Sequence, residues 1–329
     1  MRIAAHSRPG ILRAKPERRK LRLLDRGMSK KLRNLGPGVC RLCGEYSPLQ
    51  LSHILPAFVF RELKRGSATG HIRYSDTPNV RVQDGVKEYW LCSGCEQRFS
   101  GWERKFANEV MRPWADGVAK TRYSDWMLKF CVSVSWRTLV FAKGRNPEAA
   151  YTDDEEARIQ QCEITWREFL LGSRPHPGLF EQHFLIGDVL ESTSVPNLPK
   201  NFNRFMMGSV MLDIVGSQRS SYTWAKLGQF QIFGTINHGP NRWEGTKVRV
   251  KDGELAAGRF VIPTGILDLW KEKAAIQSDA YERISDRQRD KIEALSLADI
   301  ERFKNSRTFK AMQADADMFG QDAILRPTD

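Results

Sequence analysis

Hydrophobic and polar positions change their period several times along the chain, and the changes divide it. Up to residue 27 the segment MRIAAHSRPGILRAKPERRKLRLLDRG is Arg-rich, carries Pro9 and Pro16, and shows no apolar repeat before Leu21. It reads as a flexible basic arm over 1–35. A cysteine-bearing unit follows over 36–120. Within it, Phe99, Trp102 and Phe106 fall on one apolar stripe, which predicts a helix opening at the second cysteine pair. With Ser124 or Asp125 as N-cap, Trp126, Met127, Phe130, Val134, Leu139 and Phe141 approximate another helical stripe, and 153–169 reads as a charged amphipathic helix. From about 184 to 262 the pattern shifts to β-branched and aromatic runs broken by Gly, Asn and Pro, and Asp252-Gly253 between alternating runs predicts a hairpin turn. Beyond Pro263 the helical period returns. Ser285 with Gln288, and Ser296 with Asp299, have capping-box spacing and predict two helix starts. The fold class expected is α+β: a small treble-clef or ββα-metal unit at 36–120, then a larger α+β domain over 121–329.

Composition narrows the function. The chain has 329 residues, 41% of them apolar and 10% aromatic, enough for a packed core and more than one domain's usual length. No apolar run approaches the roughly 20 residues of a membrane helix, and the basic N-terminus lacks the apolar segment of a secretory signal. A cytoplasmic protein without a membrane partner is expected. The formal net charge is +13, but it is not spread evenly. Residues 1–33 carry +10, residues 34–140 carry +5, and residues 141–329 carry −2. Such an excess at one end suits a polyanion, DNA or RNA above all, and equally suits a solvated tail. Met28 is a plausible alternative start, and beginning there would lower the net charge to +6.

Six cysteines stand at 40, 43, 92, 95, 131 and 162. The first four form Cys-Arg-Leu-Cys-Gly and Cys-Ser-Gly-Cys, separated by residues 44–91. Each CxxC turn brings two thiolates within reach of one ion, and two turns complete a tetrahedron. In a chain without a secretory signal this pattern points to a metal site rather than disulfides. Cys40, Cys43, Cys92 and Cys95 are therefore expected to hold a structural zinc, with Gly44 and Gly94 easing the backbone around it. Four protein ligands leave no open position for a substrate water, so any catalysis needs a second centre. Cys131 and Cys162 read as buried thiols.

Between the pairs lies Ser52-His53-Ile54-Leu55-Pro56. The order CxxC, a strand ending in this motif, then CxxC opening a helix resembles the zinc-knuckle branch of the HNH endonucleases, also called His-Me finger or ββα-metal nucleases. The resemblance spans about 36–112. The following Ser-Val-Ser-Trp-Arg stretch (133–137) is similar to bacterial proteins that carry the same unit, a similarity that implies no function. The family resemblance implies that His53 is the general base taking a proton from the attacking water, a role suited to an imidazole titrating near neutrality. It also implies a divalent ion, magnesium or manganese, at the scissile phosphate. The sequence departs from the family in three places. Glu96 stands where Asn is usual after the second CxxC, the final motif His is absent with Glu103 the nearest substitute, and Ser52 replaces the acidic or His residue before the base.

Glu96 and Glu103, seven residues apart on one helix face, suit a hard cation. They suit ion pairs with Arg98, Arg104 and Lys105 on a solvated face equally well. Those three cations, with the arm, are the candidate phosphate contacts. His71 is a possible phosphate contact or extra ligand; His176 and His183 read as loop and core residues, and His238 as a turn residue. No phosphate-cradling glycine loop, nucleophile elbow or dinucleotide fingerprint occurs. Three functions fit: a metal-dependent HNH-type endonuclease, a catalytically inactive zinc-dependent nucleic-acid-binding module, or a protein-interaction scaffold engaging a partner through the C-terminal domain.

Overall fold

The computed structural model describes residues 37–67, 69–146, 151–217, 219–256 and 260–324. The arm at 1–35 and the alternative start at Met28 lie outside the described residues.

The first elements wrap the cysteines. β1 (Gly38–Val39) and β2 (Tyr46–Ser47) pair antiparallel on either side of the first CxxC turn. β3 (Leu49–His53) pairs antiparallel with β4 (Lys87–Cys92), with a register shift between Gln50 and Leu51. Between them lie α1 (Ala57–Gly66) and a long connection to residue 86. β4 runs straight into α2 (Ser93–Phe106), which continues through a π-helical turn (Ala107–Met111) into α3 (Arg112–Ala115). Phe99 and Phe106 on α2 are buried as the stripe predicts.

β5 (Lys120–Tyr123) leads to α4 (Trp126–Arg145). This helix is not one-sided: every residue from Phe130 to Val140 is buried. An element covered all round reads as apolar on every face, which explains why its sequence stripe was only approximate. Asp125 precedes it but makes no capping hydrogen bond, and its carboxylate pairs with Lys129 instead. α5 (Asp153–Leu171) opens with a capping box, Thr152 and Glu155 satisfying each other's backbone amides, and ends at Gly172 in the left-handed region.

β6 (Gln182–Ile186), β7 (Val210–Ser217), β8 (Ser220–Leu227) and β9 (Phe230–Asn237) form an antiparallel sheet in the order β6-β9-β8-β7, with α6 (Phe202–Gly208) in the β6–β7 connection. One face of the sheet, with Ala225 and Ile232, joins a cluster that reaches through α4 and α2 to Cys40 and Cys95. The other face, with Trp224 and Phe233, packs on Phe202, Phe205 and Trp270. Neighbours along β8 and β9 thus point into different cores, so these strands read as continuous apolar runs.

Two expected elements differ. No hairpin forms at Asp252-Gly253. β10 (Gly253–Ala256) pairs antiparallel with β5, and a Cβ on Gly253 would come within 2.3 Å of the Tyr123 hydroxyl. That hydroxyl also accepts from the Arg249 amide at 3.1 Å, which ties the approach to this strand to Tyr123 rather than folding it back on itself. Nor does a helix start at Ser296. α7 (Thr264–Glu282) is followed by α8 (Asp286–Ala298), and Ser296 lies inside α8, its hydroxyl donating to the Ile292 carbonyl one turn back. Asp299 caps the next helix itself: α9 (Ile300–Lys304), accepting from the Arg302 amide. Ser306 does the same for α10 (Arg307–Phe319), before a last 3-10 turn (Gln321–Ala323). No described helix is long and apolar enough to cross a membrane.

Candidate metal centre and the His53 site

The two CxxC turns meet because β3 and β4 pair. Leu49 stands opposite Cys92 in the ladder, so the turn before β2 is carried against the end of β4 and the first turn of α2. The ligand atoms of Cys40, Cys43, Cys92 and Cys95 all lie within 4.8 Å of one another, a group that could hold a metal ion. Cys43 Sγ is 3.8 Å from Cys92 Sγ, and none of the cysteines is in a disulfide. A tetrahedron with metal–sulfur bonds of about 2.3 Å has edges of about 3.8 Å, so this spacing fits a thiolate-bound ion. Gly44 (φ +83°) takes the left-handed conformation that closes the first turn. Gly94 needs no such freedom, because it sits within α2. Burial acts upward on the Cys40 thiol, but amide hydrogen bonds from Cys43, Cys92 and Leu42 outweigh it and bring the thiol down to about 7. The Cys92 amide donates to Cys40 Sγ at 3.3 Å. Burial drives the Cys95 thiol the other way.

His53 closes β3, opposite Lys87 at the start of β4. Its Nε2 is 2.9 Å from Asp84 Oδ1, and Asp84 Oδ2 is 2.7 Å from Lys87 Nζ. Burial alone would raise the Asp84 carboxyl, but Lys87, His53 and the Gly85 amide hold it down at about 2. A carboxylate charged at neutral pH can only accept, so Nε2 is the ring nitrogen that donates to it, and in the neutral imidazole Nδ1 is the one with the lone pair. The ring is partly exposed, stacked over Phe60 with centroids 6.4 Å apart.

Glu96 and Glu103 share the face of α2 turned towards this strand, but each is already engaged. Ser52 Oγ donates to Glu96 Oε2 at 2.6 Å. Glu103 Oε1 lies 2.8 Å from Arg137 Nη2, a nearly buried guanidinium on α4. Arg137 also donates to the carbonyls of His53 (3.1 Å) and Ser133 (3.2 Å), linking α4 to the end of β3. Burial pushes the Glu103 carboxyl upward against the pull of Arg137, and Glu96 adds to the push. The alternative, ion pairs of these glutamates with Arg98, Arg104 and Lys105, is not seen among the described residues. Arg98 donates instead to the Leu170 carbonyl in the last turn of α5, at 2.9 Å, while Arg104 and Lys105 are exposed.

Glu96, Glu103 and His53 do not converge as a second ion site. Among the described residues, the four cysteines alone bring three or more metal-capable side chains within 4.8 Å of one another. Serine and arginine hold the two carboxylates on separate partners, so these residues do not fit a dedicated magnesium or manganese cage.

The sequence reading missed Asp84 and Arg137 here. The strand register supplied one signal, since pairing His53 with Lys87 puts the Asp84–Lys87 pair beside the imidazole. Arg137 gave only a weaker one, as a guanidinium among apolar neighbours, which has to find a carboxylate. Of the other candidates, Cys131 and Cys162 are buried, as is His183, which hydrogen-bonds Thr246. His176 accepts from the Gly178 amide, and His238 pairs with Glu181 rather than serving only its turn. No family model, curated protein or solved structure matches the chain.

Proposed function

We propose that this protein is a zinc-stabilised phosphodiesterase of the HNH, ββα-metal type acting on DNA or RNA, with His53 as general base. The observation that carries this reading is the His53–Asp84 pair at the end of a strand clamped between two CxxC turns. Asp84 holds the proton on Nε2, which leaves Nδ1 to take a proton from an attacking water or hydroxyl. The antiparallel β3–β4 pair, the helix that follows it and a cysteine pair at each end have the order of a treble clef. Zinc suits four thiolates at tetrahedral spacing, and it would supply stability rather than chemistry. Exposed Arg104 and Lys105 on α2, with the +5 of residues 34–140, would neutralise phosphates.

Ser52 and Arg137 engage the Glu96 and Glu103 carboxylates, so neither is free to hold magnesium or manganese. That same engagement favours a second reading, a nucleic-acid-binding module without catalysis, in which Glu103 serves only the Arg137 pair. A plasmid-nicking and RNA-cleavage assay with magnesium, manganese or chelator, comparing wild type with His53→Ala, separates the two. Cleavage reduced at least about 100-fold in the variant is expected, the usual worth of a general base. Equal cleavage by both proteins, or none by either with the metal site loaded, would overturn the nuclease reading. Salt-sensitive binding would then support the binding module.

A further inference from the structure

The connection between β3 and β4 does more than carry Asp84. Residues 71–79 leave the ββα unit and lie against the C-terminal helices, where Arg283 donates to the Ser75 carbonyl (2.6 Å) and Asn79 bonds both Arg283 and Ser285. From the other side Arg307 donates to the Glu62 carbonyl (2.8 Å), and Thr308 to that of Gly66 (3.1 Å). Between these two seams is a cavity of about 330 Å³, within the size range of small-molecule sites. A neighbouring cavity shares Arg73, Tyr74 and Ser75 with it and has Asp76 and Arg283 in its own lining.

The lining has a definite chemistry. Its described residues include three arginines, Arg73, Arg204 and Arg307, and no carboxylate. Asp315, outside the lining, pairs with Arg204 at 2.8 Å and offsets its charge. The other two arginines are not offset in the same way. Arg73 gives its hydrogen bonds to the neutral Pro78 carbonyl and Gln288 amide oxygen, at 2.9 and 3.1 Å. Arg307 has Glu62 only at 3.9 Å, and Glu62 is already paired with Arg65 at 2.5 Å. The remainder of the wall mixes apolar and aromatic side chains, Tyr74, Tyr281, Phe303 and Ile284 among them, with neutral polar ones such as Ser67, Gln277 and Thr308.

His71, also in the lining, adds an independent observation. Its Nε2 lies 3.3 Å from Arg81 Nη1. A guanidinium has no acceptor, so Nε2 must accept and the neutral ring carries its proton on Nδ1. That Nδ1 is buried without a hydrogen-bond partner, a donor the protein leaves unanswered. The imidazole is kept neutral by burial and then by Arg81, Arg73, Arg302 and Lys64, all cations. A cavity with one guanidinium, Arg73, that has no carboxylate partner among the described residues, a second, Arg307, that shares Glu62 with Arg65, an unanswered N–H donor and aromatic side chains in its wall suits an anion attached to a flat body.

We propose that this cavity between the β3–β4 connection and helices α7–α10 binds a nucleotide-sized organic phosphate, with Arg73 and Arg307 on the phosphate and Tyr74, Tyr281 and Phe303 against the base. The site shares no residue with the four cysteines or with His53, so it stands or falls apart from the nuclease reading.

Equilibrium titration of the full, metal-loaded chain with AMP, adenosine and inorganic phosphate tests it. AMP is expected to bind and to raise the melting temperature with concentration, with adenosine and phosphate each at least about tenfold weaker. Arg73→Gln should weaken AMP about tenfold and leave adenosine unchanged, since one charge-assisted contact is lost. Met312→Glu places a carboxylate in the same lining while removing no hydrogen bond, and it should do likewise should the arginine variant prove unstable. The proposal is overturned by no AMP binding at about 1 mM, by adenosine binding as well as AMP, or by both variants binding AMP like wild type.

Discussion

Asp84 shows how one side chain ties the proposed chemistry to stability. The fold holds its carboxyl at about 2, below the roughly 3.9 of an unfolded chain. Between those two values the unfolded chain binds more protons than the native one, so stability must rise with pH across the window and fall as acid is added. The carboxylate is 40% exposed, so solvent screens its pairs with His53 and Lys87 to no more than about 1 kcal/mol. Asp84→Asn should therefore be slightly less stable than wild type above about pH 4, and the gap should close by about pH 2. Urea midpoints for both proteins across that range check the sign. A gap that widened towards pH 2 would mean that Asp84 is not held as a carboxylate. The residue itself was not legible in the sequence. The CxxC ligands announce themselves through spacing within four residues, and His53 through its place in a short motif. Asp84 acquires meaning only when a loop of more than thirty residues returns to the end of β3.

At the level of elements, the informative contact is between α2 and α4. The sequence predicts both helices and puts Glu103 on one face of α2 with Glu96. It could not show that Arg137, more than thirty residues on, would occupy that carboxylate, because α4 is buried on every side and its apolar pattern marks no preferred face. The same limit explains the β5–β10 pairing, where a good hairpin turn signal lost to a close fit between Gly253 and Tyr123. Arg137 is 4% exposed and Glu103 17%, so breaking their pair strands a charge away from water. Arg137→Met should cost about 3 kcal/mol in denaturant unfolding, and adding Glu103→Met should return a good part of that loss. Two losses that simply add in the double-mutant cycle would show that the helices are not coupled through this pair.

For the molecule as a whole, the question is whether the cysteine-bearing unit folds as a body of its own. The cysteine-bearing unit is expected to end near residue 120, but the packing crosses that point freely. Phe106 of α2 stacks on Phe130 of α4 with centroids 4.2 Å apart and meets Phe230 of β9 edge-on at 5.5 Å. Phe99 meets Trp136 at 6.1 Å, and one apolar cluster runs from Cys40 to Leu255. The helix that carries Cys95 on its first turn is thus also a wall of the common core. A structural ion held by the four thiolates would contribute on the order of 10 kcal/mol of folding free energy, comparable to the whole stability of a domain. Stripping it with a strong chelator should therefore lower a single cooperative melting transition by tens of degrees, seen alike by far-ultraviolet circular dichroism and tryptophan fluorescence. Both probes should move together, because Trp90 near the cysteines and Trp136 and Trp166 in the shared core report on one packed body. Separate melts, with the ion shifting only the lower, would instead make the cysteine unit an independent domain resting on the rest.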